Sequence, residues 1–200
     1  MIGGILRLVA LAVAIAHRDE ERARPVEDQT RAEMQVGIDR RQLPEDHLDS
    51  GQRRALLVQA PARNAGADVT CVELQPGFAH ELRVIHGFAD AIEGDFLALD
   101  PAHYAPFDAV IMNPPFDRGR DCDHVRHALA FLKPGGVLVA IMSARAEYGE
   151  DQRHKALHRM IAGCEAIYFH GRKWIDLPPG SFAHAGTNVN TVLLAIRKPG

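Results

Sequence analysis

The chain has 200 residues, 46% apolar and 24% charged, with a net charge of −3; this suffices for one globular domain with a sizeable core and excludes collagen-like, disulfide-rich and broadly disordered classes. The acidic balance gives no whole-chain attraction for nucleic acid, so any such contact has to be local, through Arg118, Arg120, Arg126, Arg172 and Lys173. Cys71, Cys122 and Cys164 are odd in number and far apart, with no Cys-x-x-Cys pair; this excludes a disulfide framework or a zinc site and reads as reduced thiols in a cytoplasmic protein.

The opening stretch MIGGILRLVALAVAIA is apolar apart from Arg7. It falls short of the roughly 20 residues that span a bilayer, and it lacks the basic start and small-residue cleavage site of a signal peptide. It is expected to be a soluble or poorly ordered helix, with no membrane partner. From His17 to about Ala67 the text is charged and rich in Arg, Asp, Gln, Ala and Pro, with weak periodicity. Only ALLVQ, residues 55–59, resembles a strand there. Such text forms surface helix or stays partly disordered and supplies little core. All twelve aromatic residues lie from Phe78 onward, which marks a composition boundary. The expected division is an atypical N-terminal segment, residues 1–64, and an α/β domain, residues 65–200.

Beyond residue 65, apolar runs alternate with helical patterns. DVTCVEL is β-rich, and PGFAHELRVIHG begins with Pro and ends with Gly as a helix does. ADAIEGDFLAL, the strand FDAVIMN, the helix DHVRHALAFLKPGG and the strand VLVAIM follow. A polar helix from about Glu150 to Ala162, then EAIYFH and a last strand NTVLLAIRK, complete the series. Lys133, Pro134 and the Gly135–Gly136 pair punctuate a helix end before a buried strand. Alternation of this kind implies a mostly parallel sheet covered by helices on both faces.

In such a sheet ligands bind at the carboxyl ends of strands, and Asn113-Pro114-Pro115-Phe116 occupies that position after FDAVIM. A proline fixes its own φ and drives the preceding residue out of the helical region. Asn113 and Pro114 are therefore held extended, each by the proline after it. The Asn113 amide oxygen and the Pro114 carbonyl become two rigid acceptors, and Phe116 adds a flat apolar face. The set suits a planar substrate carrying an amino group. It contains no base, so its chemistry is placement.

Asn-Pro-Pro-Phe after an apolar strand resembles the fourth motif of class I S-adenosylmethionine-dependent methyltransferases that modify exocyclic amino groups, best known in the adenine-specific DNA methyltransferases. The likeness spans about residues 67–198 and implies a Rossmann-like methyltransferase fold with S-adenosyl-L-methionine as cofactor. Carried over by position, Glu73 looks like the acidic residue that holds the cofactor ribose. Asp95 looks like the carboxylate facing the cofactor adenine amino group, with Phe96 packing beside that ring. Asn113, Pro114, Pro115 and Phe116 correspond to the clamp on the target amine, with Asn113 also bordering the cofactor. The ending DLPPGSFAHAGTNVNTVLLAIRK resembles phage and plasmid members, but its Thr187, Asn188 and Asn190 receive no role.

The family's first motif is a strand, then a Gly-rich turn whose amides approach the cofactor, about 20 residues before the acidic residue. GQRRALLVQAPARNAGADVTCVE stands there without a Gly-x-Gly. If ALLVQ is the first strand, APARNAGA is too short for a crossover of about a dozen residues. The first strand and helix are thus expected to be missing or altered, with residues 1–64 not the family's native start, through a frame change or a deletion.

His154 and His158, and His124 and His127, are spaced to share helix faces. With no third ligand at fixed spacing they read as solvated faces, and no metal is expected. Asp121 and Asp123 read as carboxylates at a helix N-terminus. Ser143 and Ser181 lack a Gly-x-Ser-x-Gly setting. The expected function is methyl transfer to adenine N6 in DNA. The alternatives are a guanine amino methyltransferase acting on RNA and a degenerate, non-catalytic member of the fold. No insertion has the size of a target-recognition domain, so sequence preference is low or comes from a separate specificity partner.

Overall fold

The structure is a computed structural model that describes residues 7–12, 68–104, 106–167, 171–181 and 189–200. An eight-stranded sheet organises the described residues. Its left half is parallel: β3 (Ile92–Glu93), β2 (Asp68–Glu73), β1 (Arg7–Ala12), β4 (Phe107–Met112) and β5 (Leu132–Ser143) lie side by side in that order. Antiparallel β8 (Thr191–Arg197) pairs with β5 from Val137↔Arg197 to Ser143↔Thr191. Two short strands, β6 (Glu165–Ala166) and β7 (Trp174–Asp176), pair with the far side of β8. Helices α1 (Pro76–Val84), α2 (Pro101–Tyr104), α3 (Arg120–Phe131), α4 (Arg145–Tyr148) and α5 (Gln152–Ile161) connect these strands.

The opening stretch departs from expectation. Arg7–Ala12, read as helix, forms strand β1 between β2 and β4, in register Ala12↔Glu73 and Leu11↔Met112. A strand with a neighbour on each side in a parallel sheet reads as one continuous apolar run, which periodicity cannot tell from helix. The place of the first strand is thus filled from the N-terminal segment, and residues 13–67 are long enough for the crossover to β2. ALLVQ and the proposed boundary at residues 64 and 65 lie outside the described residues, as do Thr187 and Asn188.

The core follows from the pattern of β4, β5 and α3. Phe107, Val110 and Met112 of β4 and Leu138, Ala140 and Met142 of β5 are buried, as are Cys122, Val125, Leu129 and Phe131 of α3. The Lys133–Gly136 text makes an irregularity at the start of β5, where pairing jumps from Phe107↔Leu132 to Ala109↔Val137. A Cβ at Gly136 would lie 2.9 Å from Lys133 O and 3.2 Å from Asp108 O, so only glycine lets the strands close. The end of α3 is capped by Lys198, whose Nζ donates to Leu129 O at 2.9 Å and Leu132 O at 2.7 Å. The end of α5 is treated likewise by Lys173, which donates to Ile161 O and Ala162 O. No helix among the described residues is long and apolar enough to cross a membrane.

Candidate active site

The parallel strands deliver three predicted site residues to one rim. Glu73 ends β2, Asp95 follows β3, and Asn113 follows β4. Glu73 pairs with Ala12, and Met112 with Leu11, so Glu73 and Asn113 flank the end of β1. With strands about 4.8 Å apart, their backbones stand roughly 10 Å from each other. Asp95 stands one strand further out, and its neighbour Phe96 points away from the rim into the core.

Asn113 is half-buried, but its Oδ1 is sealed from solvent and meets no hydrogen-bond donor among the described residues. Pro114 is buried, and Pro115 and Phe116 are partly exposed. An acceptor kept dry without a donor costs about 1–3 kcal/mol. The proline that follows Asn113 restricts its backbone, and that proline is itself buried. The loop then reverses through two left-handed residues, Arg118 (φ 51°) and Gly119 (φ 73°), and enters α3. Arg118 is the one described non-glycine residue with positive φ, a conformation that costs an L-residue about 1–2 kcal/mol. Arg153 of α5 holds it by donating Nη1 to Arg118 O at 2.6 Å.

Both ends of this loop are fastened to β5. On one side Met112 pairs with Ala140. On the other, Asp121 in the first turn of α3 is fully buried and accepts from Ser143 N at 3.0 Å, Ser143 Oγ at 2.8 Å and Cys122 N at 3.0 Å. Asp121 is therefore a buried fastener, where the sequence suggested only a carboxylate favoured by the helix dipole. Burial, reinforced by the charge of Asp121, pushes the Cys122 thiol up to about 12, so it stays protonated at neutral pH.

The cofactor side is organised differently. Glu73 is 1% exposed, its Oε1 accepts from Gln75 N at 2.7 Å, and its carbonyl accepts from Gly94 N at 2.9 Å. Asp95 is exposed and caps a short 3-10 turn, Phe96–Ala98, through Oδ1 and Leu97 N at 2.9 Å. Phe96 is 2% exposed and packs against Phe131, His127 and His124, with ring centroids 5.1, 5.0 and 6.2 Å away. Its ring thus packs on α3, where the resemblance implies a face beside the cofactor. The two carboxylates stand at the ends of adjacent strands, Asp95 open to a ligand and Glu73 almost wholly buried. The glycine turn has no counterpart in the text that follows β1, since Val13 to Val36 contains no glycine.

The histidine pairs are not solvated faces. His124 Nδ1 contacts Arg120 O at 2.9 Å, His127 Nε2 contacts Leu99 O at 3.0 Å, and His158 Nε2 contacts Ala146 O at 2.8 Å. Burial holds the imidazole of His124 below its ordinary range, with a further push from the Arg120 charge; the Arg120 carbonyl and the Asp95 and Asp123 charges oppose this. His154 is 2% exposed, with Nδ1 2.7 Å from Asp151 Oδ1 but off hydrogen-bond alignment. Helical spacing showed that these rings share faces, but not that the faces turn inward. No group of three or more His, Cys, Asp or Glu among the described residues is arranged to hold a metal. Asn190, without a role from the sequence, offers its carbonyl to Ala144 N at 2.7 Å at the same end of the sheet.

No protein-family model and no curated protein matches the chain. Solved structures do. A Listeria monocytogenes protein assigned to the class I S-adenosylmethionine-dependent methyltransferases is 15% identical, covering 74% of this chain and 51% of its own, at a TM-score of 0.52. TrmN from Thermus thermophilus is 17% identical, covering 96% and 44%, at 0.51. The M protein of the type I restriction enzyme EcoKI is 18% identical, covering 74% and 35%, at 0.51. The chain spans about half or less of the length of these proteins. At such identities the likeness establishes architecture, and the chain has the Rossmann-like fold of the class I methyltransferases.

Proposed function

We propose that the chain is an S-adenosylmethionine-dependent methyltransferase acting on an exocyclic amino group, the N6 amine of adenine in DNA. The observation that carries this reading is the place of Asn113-Pro114-Pro115-Phe116 at the carboxyl end of β4, with an Asn113 Oδ1 that meets no donor among the described residues. A dry acceptor with no donor of its own suits a ligand that brings an N–H. An adenine amino group brings two, one for Asn113 Oδ1 and one for the Pro114 carbonyl, with Phe116 as the stacking face. Held this way, the amine is turned with its lone pair out of conjugation and toward the donor, a gain by orientation and fixed dipoles. Glu73 and Asp95 would hold the cofactor, which supplies an electrophilic methyl group when bound. Asp121 and Arg153 keep the clamp loop in place. Sequence preference, on this reading, comes from a separate specificity partner.

The test is calorimetric titration with S-adenosylmethionine followed by tritiated methyl transfer into DNA and into RNA. Asn113→Ala is expected to lower transfer to DNA by about 100-fold or more while cofactor affinity stays unchanged. Unaltered turnover in that variant sinks the clamp reading, and transfer into RNA alone replaces adenine by the guanine amino group of RNA. A second reading is favoured by the glycine-free text after β1: a non-catalytic member of the fold. Absence of cofactor binding supports it, and turnover on any nucleic acid removes it.

A further inference from the structure

The clamp loop abuts a second feature that its own chemistry does not use. Helices α3 and α5 both start near the strand-end rim and run down beside each other, leaving an open groove of about 630 Å³ between them. Arg126, Arg153, Lys155 and Arg159 line it, with Asp123 as the one carboxylate. In a chain of net charge −3, four cations against one anion is a local reversal of sign.

Asp123 does not neutralise the groove. It is shared between Arg126, at 3.5 Å, and Arg153, at 3.4 Å. No carboxylate pairs with Lys155 or Arg159 among the described residues, and both are exposed. They stand one helical turn apart on α5, about 6 Å along its axis. Arg126 pairs with Asp123 through Nη1, while its buried Nε meets no acceptor among the described residues. The upper end of the groove joins the clamp directly: Arg153 donates to Arg118 O, two residues beyond Phe116, and its Cδ lies 3.6 Å from where a Cβ on Gly119 would stand.

We propose that the α3–α5 groove seats the phosphate backbone of DNA beside the base held at Asn113. This rests on the reading of Asn113 as an amine clamp: a ligand whose base enters the clamp carries phosphates past the same loop. The groove answers them with a row of cations that an acidic protein surface would otherwise not retain. Arginine forks and a lysine on rigid helices fix position without reading sequence.

The experiment is fluorescence anisotropy of the full chain with a labelled duplex oligonucleotide, at salt concentrations from about 50 to 200 mM. Lys155→Glu combined with Arg159→Glu is compared with the charge-keeping pair Lys155→Arg and Arg159→Lys. Charge reversal is expected to weaken binding at least tenfold and to flatten the salt slope by about 2, while the charge-keeping pair stays near the parent. Thermal unfolding of each variant separates lost contact from lost fold. Binding and slope unchanged by charge reversal overturn the proposal, as do no DNA binding by the parent or tighter binding of poly-glutamate than of DNA. Methyl transfer is measured on the same proteins. Groove-dependent DNA binding without any transfer leaves the groove standing and removes the methyltransferase reading; transfer with groove-independent binding does the reverse.

Discussion

The rim at β4 and the rim at β2 and β3 treat their polar groups in opposite ways. At β4 the chain seals an amide oxygen from water and gives it no donor among the described residues. At β2 and β3 it gives each carboxylate one of its own backbone amides, Gln75 N for Glu73 and Leu97 N for Asp95. The aromatic residue next to Asp95 is turned into the core, while Phe116 of the clamp stays partly exposed. The difference teaches where ligand binding and folding compete. An unmet buried acceptor is a standing cost that folding alone would remove, whereas a capping carboxylate serves the fold whether or not a ligand arrives.

The largest expected effect comes from Phe96→Ala. A ring packed on Phe131 and two histidines is a core side chain, and its loss is expected to cost about 3–5 kcal/mol, measured by urea unfolding. A cost below about 1 kcal/mol would mean that Phe96 belongs to the ligand side after all. Next is Asp121→Ala, which leaves the Ser143 and Cys122 donors buried without an acceptor and is expected to cost about 3 kcal/mol. Asp121→Asn should recover part of this, because it keeps one acceptor oxygen.

A smaller effect is a pH dependence through His124. Burial depresses its folded value below the unfolded one near 6.5, so the unfolded chain binds the extra proton. The stability that His124 contributes is therefore fully present above the unfolded value and lost as pH falls through the folded one. Unfolding at pH 7.5 and at pH 5.5, with and without His124→Gln, checks this: the variant should show the flatter profile. The smallest expected change in stability is at the functional end. Asn113→Ala removes a buried acceptor that meets no donor among the described residues, and is expected to leave stability within about 0.5 kcal/mol of the parent or slightly higher, while the proposed methyl transfer falls. A large destabilisation by Asn113→Ala would erase the contrast between the two rims.

Much of this protein was legible without a fold. Alternating apolar runs implied the parallel sheet, and two prolines between a strand and a helix marked a loop that the chain holds rigid at a strand end. These are local properties, set by chain period and by the restricted torsions of proline. What tertiary structure alone decided is which partner each group meets. Arg7–Ala12 became a strand because β2 and β4 bracket it; its apolar text fits helix and strand equally. Asp121 became a fastener because Ser143, far along the chain, ends the strand beside it. Phe96 turned inward because it packs on His124, His127 and Phe131 of α3, and Arg126, Arg153, Lys155 and Arg159 became one groove because α3 and α5 lie together. Burial and pairing are long-range quantities, so residue types along a line name the candidates and the fold assigns their neighbours.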